Sequence, residues 1–212
     1  MSNRVYLYCT DFNEMPKANQ WDDFFRSSGI EYEATGCIPI YWLCLFEPDD
    51  IKVLPTNYNG FDDDERAYPY LQCKRSEAVL RLRERAQYVE KAVGEKRFTL
   101  YQEWVERVES EQFENIIVRT EQLDWMCEEG ELERDLRKAF KHMKQTLKEG
   151  ELRMSNAMND IAGLWSGEIL AECESYELVG TSNTKDSWPK RYTPPYSPPA
   201  AAKIQNKWWK FW

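Results

Sequence analysis

Apolar and polar positions set out a series of short elements. Val5–Thr10 alternates β-branched and aromatic residues and reads as a first strand. Asp11–Gln20 is polar and reads as a loop, and Trp21–Ser28 suits a short helix stopped by Gly29. Ile30–Ala34 carries a weaker strand pattern. Pro39 then opens the apolar run Ile40–Phe46; proline in a first helical turn favours a short buried helix, although a buried strand has the same apolar signature. Residues 55–75, with Pro55, Asn59-Gly60, an acidic run and Pro69, read as one long surface loop.

Helical periodicity dominates the second half. Val79, Leu82, Ala86, Val89 and Val93 repeat at alternating steps of three and four, with Ser76 as candidate N-cap and Gly94 as the stop. Arg81, Arg83, Glu84, Arg85, Glu90 and Lys91 fill the other faces. Thr99 with Gln102 resembles a capping box for a second helix bearing Tyr101, Trp104, Val105 and Val108. Asn115–Arg119 breaks the period and reads as a strand, after which Thr120 caps a short helix with Leu123 and Met126. Leu132, Leu136, Ala139, Met143 and Leu147 form an amphipathic helix up to Gly150. Met154, Met158, Ile161, Trp165 and Ile169 suggest a last one, weakened by Gly163 and Gly167. The fold class expected is α+β: a small sheet, several amphipathic helices and a C-terminal arm.

That arm is set off by composition. Five of the ten prolines lie between Pro189 and Pro199, and an alanine run then leads into Lys203–Trp212. The division expected is an acidic body, residues 1–186, and a basic Pro- and Trp-rich arm, residues 187–212.

Charge adds the next constraint. The 212 residues carry 37 acids against 28 Lys and Arg, a net −9. A generally basic nucleic-acid surface is excluded as the default. The charge is also unevenly placed: residues 103–135 alone sum to −9, and the arm holds five bases and no acidic side chain, leaving −14 on the body. Such a field speeds encounter with a basic partner. Trp208, Trp209, Phe211 and Trp212 would be an aggregation liability if exposed, so they should be buried. The destinations are the acidic body in cis, a partner, or a membrane interface; opposite charge and proximity favour the first.

Candidate chemistry is sparse. The single histidine, His142, rules out HExxH and paired-histidine zinc or di-iron centres, and it reads as a solvated surface residue. GxSxG, GxGxxG and P-loop patterns are absent. Asp50-Ile51-Lys52 lacks a spaced acidic partner for a metal nuclease. Glu103, Glu106 and Glu109 read as a solvated acidic face, and Asp62–Glu65 lacks the pattern of an EF-hand loop. No catalytic residue, metal site or cofactor is expected. Six scattered cysteines without a CxxC pair suit reduced, buried thiols. The N-terminus lacks the apolar stretch of a signal peptide. The longest near-apolar run, Cys37–Phe46, is about half the roughly 20 residues of a membrane span, so a cytoplasmic protein is expected.

Asn3-Arg4-x-Tyr6-Leu7-Tyr8, Tyr32, Ile38-Pro39-Ile40-x-Trp42-Leu43-x-Leu45-Phe46, Ile116–Met126 and the terminal Lys207–Trp212 resemble stretches of a group of uncharacterised bacterial proteins. Several of that group are suspected immunity proteins, which protect the producing cell against a toxin. The matching stretches look structural, and no active-site residue is carried over. The resemblance implies a cognate protein toxin as partner, neutralised by direct binding. For a basic partner the contact residues expected are Asp62, Asp63, Asp64, Glu65, Glu128, Glu129 and Glu131, with Trp208, Trp209, Phe211 and Trp212 docking the arm. Two other classes compete: an enzyme using a cysteine or carboxylate cluster, which a deep pocket with convergent Cys, Glu and His142 would favour, and a membrane-associated adaptor held by the arm.

Overall fold

A computed structural model describes residues 3–54, 66–164, 169–182 and 188–189. Asp62, Asp63, Asp64 and Glu65 lie outside the described residues, as do Trp208, Trp209, Phe211 and Trp212. Within them the chain is α+β. Its strands are β1 (Arg4–Thr10), β2 (Ser28–Thr35), β3 (Ile51–Leu54), β4 (Tyr68–Lys74), β5 (Asn115–Arg119) and β6 (Thr181–Ser182). They form one antiparallel sheet in the order β3-β4-β5-β1-β2-β6. The helices are α1 (Trp21–Arg26), α2 (Ile40–Leu43), α3 (Arg75–Ser110), α4 (Glu121–Asp124), α5 (Glu131–Lys148), α6 (Asn156–Ala162) and α7 (Ser175–Val179).

Strand alternation divides two hydrophobic layers. Val5, Leu7, Cys9, Tyr32, Leu71, Cys73, Ile116 and Val118 face the main core, which α2, α3, α5, α6 and α7 complete. Tyr8, Leu54, Tyr68, Tyr70 and Ile117 face the other way, onto Met15 and Phe24.

The apolar run after Pro39 contains the short buried helix α2, and every residue from Ile38 to Phe46 is buried. Such a stretch must find donors for its carbonyls. Arg85 Nη1 donates to the carbonyls of Cys44 at 2.8 Å and Phe46 at 2.9 Å, and Arg81 Nη1 to that of Leu45 at 3.0 Å. Arg85, which periodicity places among solvated positions, is therefore buried. Tyr41 Oη donates to the Arg97 carbonyl at 2.9 Å, and Trp42 Nε1 to that of Val179 at 2.8 Å, tying α2 to α3 and α7.

α3 breaks at Gly94 (φ 73°, ψ 165°), where the periodicity ends, and its arms fold back antiparallel. Tyr101 Oη on the second arm donates to the Leu82 carbonyl at 2.8 Å, and Arg75 at the start of the first reaches the Glu109 and Phe113 carbonyls. The helix begins one residue before Ser76, and Thr99 lies within the second arm rather than capping it.

Two further expectations need correction. Residues 68–74 are strand β4, paired with β3, rather than loop. Pro69 is tolerated because it lies opposite Thr120, beyond the end of β5, where the Thr120 hydroxyl donates to its carbonyl. The helix starting near Met154 is capped by Ser155 and ends at Gly163, which is left-handed (φ 67°), instead of reaching Ile169. Trp188, the second residue of the arm, packs on the body: it stacks on Trp104 at 6.0 Å, donates from Nε1 to Glu103 at 2.8 Å, and lies under the Arg107 guanidinium.

Candidate interaction surfaces

The first candidate surface is the acidic turn between β5 and α5. Thr120 and Leu123 are buried while Trp125 is 51% exposed. Glu128 and Glu129, three and four residues on, are also exposed. Glu131 is partly committed, since its carboxylate accepts a hydrogen bond from the Glu128 backbone N–H at 2.8 Å. Beneath the turn, the fully buried Asp124 pairs with Arg66 Nε at 2.9 Å. Neither carboxylate oxygen of Asp124 has a hydrogen bond of good geometry, and desolvation pushes its carboxyl up to about 6 against the pull of Arg66. Periodicity gives no sign of Trp125 as a surface residue, because Leu123 and Met126 define only the buried side of this short helix.

A second surface covers the sheet face opposite the main core. Tyr8 packs edge-on against Phe24 with ring centroids 5.1 Å apart, and Trp21 does the same at 5.6 Å. Arg119 lies over the Trp21 ring at 4.8 Å while also bonding Glu121. Phe25 remains 51% exposed beside them. The alternation Tyr6-Leu7-Tyr8 already marks a strand with two buried faces; α1, as the cover of the second, is visible only in three dimensions.

Third, an open groove of about 510 Å³ lies at the ends of β1, β4 and β5. It is lined by Asp11, Phe12, Asn13, Glu14 and Gln20 together with Lys74, Glu114 and Asn115.

Searches of family models, curated proteins and solved structures found no match to this chain.

The remaining candidates for chemistry are mostly committed to the fold. All six cysteines are free. Burial pushes the Cys44 thiol up to about 11, those of Cys37 and Cys127 to about 12, and raises those of Cys9 and Cys73 well above the ordinary thiol range, so these five stay protonated at neutral pH. His142 Nε2 lies 3.1 Å from the Arg153 carbonyl. Of the acids along α3, Glu103 holds Trp188 and Glu109 pairs with Arg83. Among the described residues, no group of three or more His, Cys, Asp and Glu side chains is placed to hold a metal ion, and no helix is long and apolar enough to cross a membrane.

Proposed function

We propose that this protein works by direct protein–protein binding, as an immunity protein that neutralises a cognate bacterial toxin. The observation that carries the reading is the exposed Trp125 on a turn that also presents Glu128 and Glu129. Tryptophan is the side chain most enriched at binding hot spots, and acids at the rim steer a basic partner and set the orientation of approach. The resemblance of the core segments to suspected immunity proteins points the same way. An enzyme built on a cysteine is less favoured, because burial keeps five of the thiols from forming the thiolate that such chemistry needs.

The test is affinity purification of the tagged chain from its native host, beside a Trp125→Ala/Glu128→Arg/Glu129→Arg variant. The expected result is a protein retained by the wild type and lost by the variant. Expressed alone, that protein arrests growth, and co-expression of the wild-type chain restores it. A captured protein without toxicity, or one held equally by the variant, overturns the proposal.

A further inference from the structure

We infer that the aromatic face around Phe25 is the docking surface for the chain's own segment 207–212, folded back onto the body in cis. That segment, Lys207-Trp208-Trp209-Lys210-Phe211-Trp212, holds four large aromatic rings, two lysines and no acidic side chain. Left in water, such a cluster of rings promotes association. The face offers a matching surface. Phe25 is 51% exposed, and its ring meets Trp21 at 5.6 Å and Tyr8 at 6.1 Å. Tyr6, half-buried, stacks on Tyr8 at 6.2 Å, so these rings form one continuous strip. Further rings laid against such a strip gain from edge-on and offset contacts beyond the area they bury. The rim has the complementary charge. Arg4, Arg26 and Arg119 already meet Glu33, Asp23 and Glu121, which leaves Asp22 and Glu31 in excess. Asp22 precedes Phe25 by one turn of α1, and Glu31 lies opposite Tyr8 across the sheet. Lys207 and Lys210 bring the opposite sign.

The chain also departs from the body beside this face. Thr181 of β6, Glu33 of β2 and Tyr6 of β1 are paired directly across the sheet, so all three point to its aromatic side. Ser182, next to Thr181, donates to the Trp188 carbonyl from its backbone N–H at 2.8 Å and from its hydroxyl at 3.0 Å. With the Trp188 ring stacked on Trp104, residues 190–212 start from the β6 edge, two strands from Tyr6, or about 10 Å at the usual strand spacing. At about 3.1 Å per residue in the extended form that proline favours, residues 190–206 reach up to about 50 Å, several times the distance needed. A tether of this length holds the segment at an effective concentration on the order of 1 mM, so contacts of modest strength suffice in cis. A second copy or a separate protein must reach the same face from a far lower concentration in solution.

The experiment is photo-crosslinking of the dilute full chain with p-benzoylphenylalanine in place of Phe25 and, separately, in place of Leu80, which is 57% exposed on α3. Mass spectrometry then locates the bond. The expected product is a monomer-sized adduct joining position 25 to residues 207–212. It should form severalfold more from position 25 than from position 80, and be lost in the Trp208→Ser/Trp209→Ser background. A fluorescent peptide of residues 203–212 should also bind the Trp208→Ser/Trp209→Ser chain at least about fivefold more tightly than the wild type, where the tethered copy occupies the face. A dimer-sized adduct overturns the inference by assigning the face to a second copy. Equal yields from the two positions, no adduct with residues 207–212, or equal affinity of the peptide for both chains overturns it too, and leaves the segment to a partner protein or a membrane surface. No toxin enters this experiment, so its failure and failure of the capture experiment are told apart.

Discussion

Arg85 supplies the donors that let nine consecutive residues run through the interior. Its guanidinium meets the carbonyls of Cys44 and Phe46, whose amide dipoles would otherwise face hydrocarbon. Methionine fills similar space without donors, so Arg85→Met should cost about 2–4 kcal/mol in urea unfolding, the penalty for orphaned buried acceptors. Arg83→Met, at an exposed position of the same helix, should stay within roughly 1 kcal/mol. In sequence the two arginines are indistinguishable, since periodicity reports the side of a helix and carries no record of which buried loop lies against it. Asp124 gives a prediction in pH. Its carboxyl, ordinarily near 3.8, is pushed up to about 6 in the folded chain by desolvation. Between those values the folded state holds the proton more tightly than the unfolded state, so this group's contribution to stability falls as pH rises through 6 and is restored towards pH 4. Asp50 and Glu111 are shifted upward as well, so the informative quantity is the difference between wild type and variant. Asp124→Asn should remove up to about 3 kcal/mol of that trend and leave a flatter profile in denaturation from pH 4 to pH 7.

Among the elements, the α3 hairpin depends on one backbone conformation. At φ 73° and ψ 165°, Gly94 occupies a region that side chains resist, while a Cβ there would meet nothing closer than Ala171 at 3.9 Å. Gly94→Ala therefore tests backbone strain without a clash. It should lower stability by about 1–3 kcal/mol, read as a shift in the urea midpoint, with the sheet's circular-dichroism signature retained below the transition. This hinge is legible in the chain, because the apolar repeat stops at it. The pairing of the two arms is not, since Tyr101 and Leu82 meet only after folding. The β3–β4 hairpin was hidden for a different reason: Pro69 and the neighbouring acidic run carry loop chemistry, and the tolerance of proline there rests on β5 ending opposite it. Likewise α7 and the two-residue β6 are too short to show a period. For the candidate surfaces, Glu128 and Glu129 were legible as charge. Trp125 and Phe25 were not, because their exposure is a property of packing.

For the whole molecule, charge is the property that composition determines most directly. The net −9 combines −14 on residues 1–186 with +5 on residues 187–212. The body's field attracts a basic partner from beyond contact distance and the arm's charge opposes it, wherever along the approach the two are felt together. Removing residues 190–212 takes away all five bases and leaves Trp188 in place against Trp104. If the arm acts through charge alone, the truncated chain should associate with its captured basic partner faster, with kon raised severalfold at low salt. It should also show a steeper decline as ionic strength rises towards roughly 0.5 M, where the Debye length falls to about 4 Å. Stopped-flow association over a salt series separates this from the other role open to the arm. A truncated chain that associates no faster, but dissociates sooner at every salt concentration, would place Trp208, Trp209, Phe211 and Trp212 in the interface, because loss of desolvated aromatic contact appears in koff and screening does not restore it.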